Sequence, residues 1–278
     1  CMRIVGTWDP REVDAARRAA AFAALDAAWE AGYNHFDHAD IYCRGECERV
    51  FGQWLRDRGH DRSAMLITTK CGIRWAGDPV ADAPHRYDFS RDHILRSCEA
   101  SLTRLGVDTV DLYLLHRPDV LMDPDDVAAA FDRLRRDGKV RYFGVSNFTV
   151  AQLDDLRASL DQPLACNQIM LHPGHVAPIQ DGTLSTLRRL AITPTAWSPV
   201  AGGAYGDGEA SGDANVRRVQ EALDAEATRL GLSRTATTFA YLMKLPSRPL
   251  VIVGTTKPDR IRDAVAADTA ELSREAWY

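Results

Sequence analysis

Four polar residues stand at or just past the ends of strand-like apolar runs: Asp37 in YNHFD, Tyr42 in HADIY, Lys70 ending LITTK and His116 ending VDLYLLH. These residue types together can deliver a proton to a carbonyl oxygen. A tyrosine holds its proton at neutral pH, because its ordinary pKa is about 10. An ammonium beside it favours the tyrosinate, and a carboxylate beside the ammonium keeps that ammonium charged. Bringing a phenol down by two to three pKa units takes about 3–4 kcal/mol. A lysine charge about 4 Å away supplies about 4 kcal/mol at an effective dielectric of 20. The residues therefore predict Tyr42 as a general acid of lowered pKa, with Lys70 beside it and Asp37 paired to Lys70. His116 then orients a carbonyl by hydrogen bonding. Singly, a lysine at a strand end is commonly a surface charge and a histidine a satisfied polar group. Only convergence on one rim makes them a site.

The elements that must bring them together repeat as strand, polar loop, amphipathic helix, glycine, strand. RIVG (3–6) reads as a short first strand, and a helix from Arg11 ends at Gly32 before NHFD. A helix near Glu46–Arg58 ends at Gly59, and LITTK follows. Ser90 is placed to cap a helix with Ile94, Cys98, Leu102 and Leu105 on one face, closed by Gly106. Asp123-Pro124 gives an N-cap followed by proline at the first helical position. Val127, Phe131 and Leu134 line that helix, and Gly138 ends it. Thr149 and Gln152 read as a capping box. PLACNQ, TPTAWS and PLVIVG complete about eight strands. Apolar strands alternating with helices imply a parallel sheet buried on both faces. Eight such units, with no GxGxxG fingerprint, predict an α/β fold of the (β/α)8 TIM barrel type, one domain over 1–278. The long loops Trp75–Phe89 and Ala201–Gly212 then belong to its active-site face.

The 278 residues suit a large single core. The net charge of -5 and the lack of a long basic block exclude nucleic acid as the main partner. No apolar run reaches the roughly 20 residues of a membrane helix, and no signal peptide is visible. Six scattered cysteines read as reduced thiols in a cytoplasmic protein. Cys43 and Cys47 are spaced for one helix face, but without a companion CxxC they make a poor zinc site. The start at CMRIVG and the end at Trp277 and Tyr278 read as trimming at both termini.

At this point the motifs carry a resemblance. FDHADIY, ITTKCG, LYLLHRPD, GKVRYFGVSNF, the NQ of CNQIMLHP, AWSP and VIVGTTKPDR occur in that order. By these the chain resembles the aldo-keto reductases over nearly its whole length, and in particular their bacterial YdhF-type branch. The resemblance implies an NAD(P)H-dependent oxidoreductase acting on a small-molecule carbonyl substrate, as a monomer or small homo-oligomer, with no membrane partner and no metal. It makes Tyr42 the proton donor and Asp37, Lys70 and His116 the rest of a tetrad. Ser146, Asn147 and Gln168 would hold the nicotinamide carboxamide, and Trp197 would stack on the ring. Gly6, Thr7 and Trp8 would border cofactor and substrate. Ser198, Pro199, Val200, Gly202 and Gly203 would pass near the pyrophosphate. Gly254, Thr255, Thr256 and Arg260 would surround the adenosine 2′-phosphate. A guanidinium with hydroxyls suits a phosphate dianion and favours NADPH.

The chain also departs from that family. Gly254 stands where some relatives carry a lysine, and Ala264, after Asp263, where an asparagine is frequent. Arg117 replaces an aromatic residue after the histidine. It leaves either a cation for carboxylate-bearing or polyhydroxylated substrates or an outward pair with Asp119. Cys43 and Cys71 flank the tetrad, and a thiol near a lysine is expected to have a lowered pKa. The rival readings are a short-chain dehydrogenase, a metal-dependent barrel hydrolase using His35, His38, Lys70 and His116, and a cofactor-binding regulatory subunit or redox sensor with weak reductase activity. The first lacks its glycine fingerprint and the second its HxH spacing. An intact tetrad argues against the third.

Overall fold

The computed structural model describes all residues from Cys1 to Tyr278. Contacts divide the chain into two compact units, Cys1–Cys166 and Asn167–Tyr278. In chain order the strands are β1 His35–Asp37, β2 Leu66–Cys71, β3 Ile73–Arg74, β4 Arg86–Tyr87, β5 Val110–Leu115, β6 Val140–Ser146, β7 Leu164–Met170, β8 Thr193–Trp197 and β9 Leu250–Val251. The helices are α1 Ala15–Glu30, α2 Glu46–Arg58, α3 Arg91–Leu105, α4 Pro124–Arg136, α5 Val150–Ser159, α6 Ala177–Gln180, α7 Thr183–Arg189, α8 Ala214–Leu230, α9 Arg234–Met243, α10 Pro258–Ala264 and α11 Arg274–Trp277.

In the first unit the parallel strands lie in the order β1-β2-β5-β6. His35 is in register with Leu66, Thr68 with Leu112, and Val110 with Val140. All of β5 except Leu112 is buried, as a strand covered on both faces requires. Helix boundaries follow local chemistry. Asp14 accepts from Arg17 N at the start of α1. Asp123 accepts from Asp125 N ahead of Pro124, and α4 buries Val127, Ala130, Phe131 and Leu134. The capping box of Thr149 and Gln152 is present on α5.

Three expectations change. RIVG is not a strand: Ile4 N donates to the Cys1 carbonyl and Gly6 N to that of Arg3, so the segment turns back on itself. Ser90 occupies the cap position of α3, but its hydroxyl donates to Asp88 Oδ1 at 2.7 Å instead of capping. The loop after β2 contains the antiparallel hairpin β3–β4, braced by Arg74 on Asp78 and Asp88.

In the second unit the order is β7-β8-β9, with β7 beginning just before the boundary. Thr195 pairs with Leu250 and Ala196 with Val251, in parallel. PLVIVG therefore supplies only a two-residue strand. One core cluster joins Ile169, Leu171, Leu184, Ala196, Leu242 and Leu245. A second joins Ala236, Phe239, Ala240, Ala264, Ala267 and Leu272. No helix of the chain is long and apolar enough to cross a membrane.

Candidate active site

The tetrad lies in the first unit. β1 ends on Asp37, β2 carries Lys70 as its last residue but one, and His116 follows β5 directly. The backbone knits these ends together: His38 N donates to the Thr68 carbonyl, Asp40 N to that of Lys70, and His116 N to that of Cys71. Lys70 is wholly buried, and its Nζ donates to Asp37 Oδ1 at 2.6 Å, to the His38 carbonyl at 2.6 Å and to Tyr42 Oη at 3.2 Å. The Tyr42 and His116 rings meet edge-on, with centroids 5.7 Å apart.

The electrostatics correct one expectation. Burial raises the Tyr42 pKa, and the Lys70 ammonium offsets this only in part, so the phenol stands above its ordinary value. Desolvation was missing from the simple charge-pair argument, and here it is the larger effect. For Lys70, burial alone would lower the pKa; Asp37 and Tyr42 more than offset that, and the ammonium is held. Burial drives His116 well below the ordinary imidazole range, helped by Lys70 and Arg117. The site at neutral pH therefore holds a protonated phenol, an ammonium and a neutral imidazole, with Asp37 against the ammonium. His116 Nδ1 is buried without a partner.

The thiol expectation is overturned as well. Burial, then Glu46, raises the Cys43 pKa, and burial drives Cys71 well above the thiol range. Both side chains are fully buried. Cys43 also lies in a left-handed turn, outside the helix that carries Cys47. Asp119 accepts from the backbone N–H groups of Phe89 and Leu121.

Of the residues assigned to a cofactor, Gly6, Thr7, Trp8, Ser146 and Asn147 belong to the first unit. Trp8 is half exposed. Thr7 Oγ1 donates to Glu12 at 2.6 Å, and the Gly6 carbonyl accepts from Arg17. Asn147 is in the left-handed region at φ 63, and its amide donates to the His116 carbonyl at 3.2 Å and to Ser146 Oγ at 2.8 Å. This tether follows β6 and fixes the loop beside the histidine.

Gln168, Trp197, Ser198, Pro199, Val200, Gly202, Gly203, Gly254, Thr255, Thr256 and Arg260 belong to the second unit. Gln168 is buried on β7 and Trp197 half-buried at the end of β8. Ala201, Gly202 and Gly203 all have positive φ, and a Cβ on Gly202, Gly203 or Gly254 would meet nothing. Thr255 Oγ1 accepts from Lys257 N, and Arg260 donates to the Asp207 carbonyl at 3.0 Å. The following loop is tied by residues that sequence reading missed. Arg234 donates to the Gly206 carbonyl and pairs with Asp224, Thr235 Oγ1 accepts from Asp207 N, and Gln220 donates to the Ala204 carbonyl. An open groove of about 490 Å³ lies between Asp207, Asp224, Thr228 and Arg234. In the first unit the missed residues are Asp40, Glu48 and Arg104, packed behind β2. For Asp40 and Glu48 the signal in the sequence is a crowd of ionisable residues around Tyr42, and Arg104, on α3, has none.

Comparison with known proteins gives the family. The sequence profile of the aldo/keto reductase family matches residues 4–278. The oxidoreductase YdhF of Escherichia coli is 42% identical over 247 residues, covering 89% of this chain and 81% of that protein. A 6-dehydroglucose reductase of Novosphingobium aromaticivorans is 35% identical over 260 residues, covering 91% and 82%. A crystal structure of an aldo/keto reductase from Klebsiella pneumoniae, in complex with NADP and acetate, superposes with a TM-score of 0.78 at 25% identity, covering 94% of this chain and 84% of that one. With a profile match over nearly every residue and two such relatives, the chain belongs to the aldo/keto reductase family of NAD(P)H-dependent oxidoreductases.

Proposed function

We propose that the protein reduces an aldehyde or ketone to an alcohol with NADPH, in the cytoplasm, on the single closed (β/α)8 barrel of its family. The observation that carries the proposal is Lys70 Nζ, wholly buried, between Asp37 Oδ1 at 2.6 Å and Tyr42 Oη at 3.2 Å. When bound, the nicotinamide supplies the hydride that reaches the carbonyl carbon. Tyr42 gives its proton to the carbonyl oxygen. Its raised pKa keeps the phenol protonated until then, and the tyrosinate left behind faces the Lys70 ammonium. Asp37 keeps that ammonium charged, and neutral His116 hydrogen-bonds the carbonyl oxygen and orients it.

The residues present fit the cofactor. Open backbone at Gly202, Gly203 and Gly254 lets a phosphate chain approach closely. Exposed Thr256 and Arg260 offer a hydroxyl and a guanidinium to a 2′-phosphate. Ser146, Asn147 and Gln168 are the amide and hydroxyl groups for a carboxamide, and Trp197 is the aromatic face for the ring. Tyr42→Phe should abolish carbonyl-dependent NADPH oxidation and leave NADPH affinity within about twofold, since the ring stays and only the proton goes. Retained turnover would falsify the assignment.

For the substrate, Arg117 places its charge close enough to His116 to depress that imidazole. A cation there favours substrates that carry a carboxylate or several hydroxyls, and the 6-dehydroglucose reductase among the relatives is named for a sugar substrate. Arg117→Ala should cut turnover of 4-carboxybenzaldehyde more than that of 4-nitrobenzaldehyde. An unchanged ratio removes Arg117 from substrate choice.

A further inference from the structure

Tyr42 opens a short turn whose next three residues all have left-handed backbone: Cys43 at φ 46, Arg44 at φ 52 and Gly45 at φ 87. For the two non-glycine residues this conformation is strained, and it persists only where the surroundings impose it. The turn's own hydrogen bonds are few: Tyr42 N to the Ala39 carbonyl, Arg44 N to that of Ile41, and Glu46 N to that of Cys43.

A side chain from α3 lies against the turn. The Arg104 side chain runs beneath Gly45 so closely that a Cβ there would lie 2.5 Å from Arg104 Cδ and 2.6 Å from Nε. Arg104 is fixed in turn. Its Nε donates to Glu48 Oε2 at 2.6 Å and its Nη2 to Ser101 Oγ at 2.9 Å. Glu48 is fully buried, and its other oxygen accepts from Thr69 Oγ1 at 2.5 Å. Thr69 precedes Lys70 on β2. The path therefore runs from the turn behind Tyr42, through a guanidinium and a carboxylate, to the strand that carries Lys70. Both ends of the 3.2 Å contact between Tyr42 Oη and Lys70 Nζ are anchored on one ion pair.

A buried ion pair is a poor device for stability alone. Its desolvation cost rivals its attraction, and apolar residues of equal volume commonly serve as well. The geometry points to another use. We propose that Arg104 and Glu48 are positioning residues for Tyr42, holding the left-handed turn so that the phenol stays against Lys70. This rests on Tyr42 being the proton donor. Neither residue touches the reacting atoms.

The test compares Arg104→Met, Arg104→Lys, Glu48→Gln and Tyr42→Phe in the whole chain, with 4-nitrobenzaldehyde as substrate. A misplacement of about 1 Å at a reacting group costs about 100-fold in rate. Arg104→Met should lower kcat by about 10- to 100-fold while NADPH affinity, read by fluorescence quenching, stays within about twofold. The deuterium isotope effect from C4-labelled NADPH should rise, because the proton-coupled step becomes slower than product release. Arg104→Lys should restore part of kcat, and Glu48→Gln should fall between. Should Arg104→Met not fold, Thr69→Val, which keeps shape and removes only the hydroxyl bond, takes its place and should raise the isotope effect. Folded Arg104→Met and Glu48→Gln with kcat within about twofold of the parent, beside an inactive Tyr42→Phe, would overturn the positioning role and leave the proton-donor reading standing. Turnover by Tyr42→Phe would remove both.

Discussion

Among single residues, the carboxyl of Asp40 stands far from its ordinary behaviour. It lies half-buried two residues before Tyr42, its Oδ1 is buried without a partner, and its pKa is pushed up to about 8. Burial is the first cause and Glu48 the second; Arg104 and Lys70 pull the other way. A protonated Asp40 carries no charge beside the ion pair of Glu48 and Arg104. The sign of the stability effect follows. The folded chain keeps this proton up to about pH 8, whereas the unfolded chain releases it near the ordinary carboxyl value of 3.8. Between those values stability falls as pH rises, by about 1.4 kcal/mol per pH unit, and the loss levels off above the folded pKa. Asp40→Asn has the shape and charge of the protonated acid and should remove this slope. Urea midpoints of parent and variant, compared from about pH 6 to pH 8, decide it. Parallel losses in the two proteins would mean that Asp40 is already ionised at neutral pH.

The packing of α2 on α3 sets where Arg104 lies, and one glycine sets that packing. A Cβ on Gly52 would fall 2.4 Å from the Leu105 carbonyl oxygen and 2.7 Å from its carbon. Those are backbone atoms at the end of a helix, so they cannot swing aside. Alanine in a helix interior is intrinsically better than glycine by about 1 kcal/mol. Overpacking against a rigid neighbour costs about 1–3 kcal/mol and should win. Gly52→Ala is therefore expected to lower the urea midpoint at an unchanged slope, and a raised midpoint would show that α3 can move. Sequence reading located this helix pair because it is announced locally, by apolar spacing and by glycines at Gly59 and Gly106 that end the helices. It also found Asp37, Lys70 and His116, whose places follow from strand ends. It missed the reversal at Ile4, where buried Ile4 and Val5 imitate a strand, and the hairpin of Ile73–Arg74 with Arg86–Tyr87, which rests on the Arg74 ion pairs. It inverted the Tyr42 shift because charge proximity can be read from residue types while burial cannot.

For the whole chain, the open matter is which nicotinamide nucleotide it takes, and the proposed cofactor residues are spread from Gly6 to Arg260. A ligand that binds only the folded protein stabilises it by RT ln(1 + [L]/Kd), about 2.7 kcal/mol at a hundredfold excess over Kd. Thermal unfolding thus reports cofactor choice without knowledge of the substrate. The distinguishing group is Arg260, exposed at the start of α10, its Nη2 donating to the Asp207 carbonyl. If it meets the 2′-phosphate, Arg260→Ala should shrink the shift in Tm given by NADPH and leave the shift given by NADH unchanged. The loop contact adds a competing explanation with its own signature. Losing the Asp207 tether would loosen the glycine-rich turn proposed to hold the pyrophosphate of either nucleotide, and both shifts would shrink together. Equal losses therefore assign Arg260 to the loop, and a loss confined to NADPH assigns it to the phosphate, with Gly254 leaving room where some family members place a lysine.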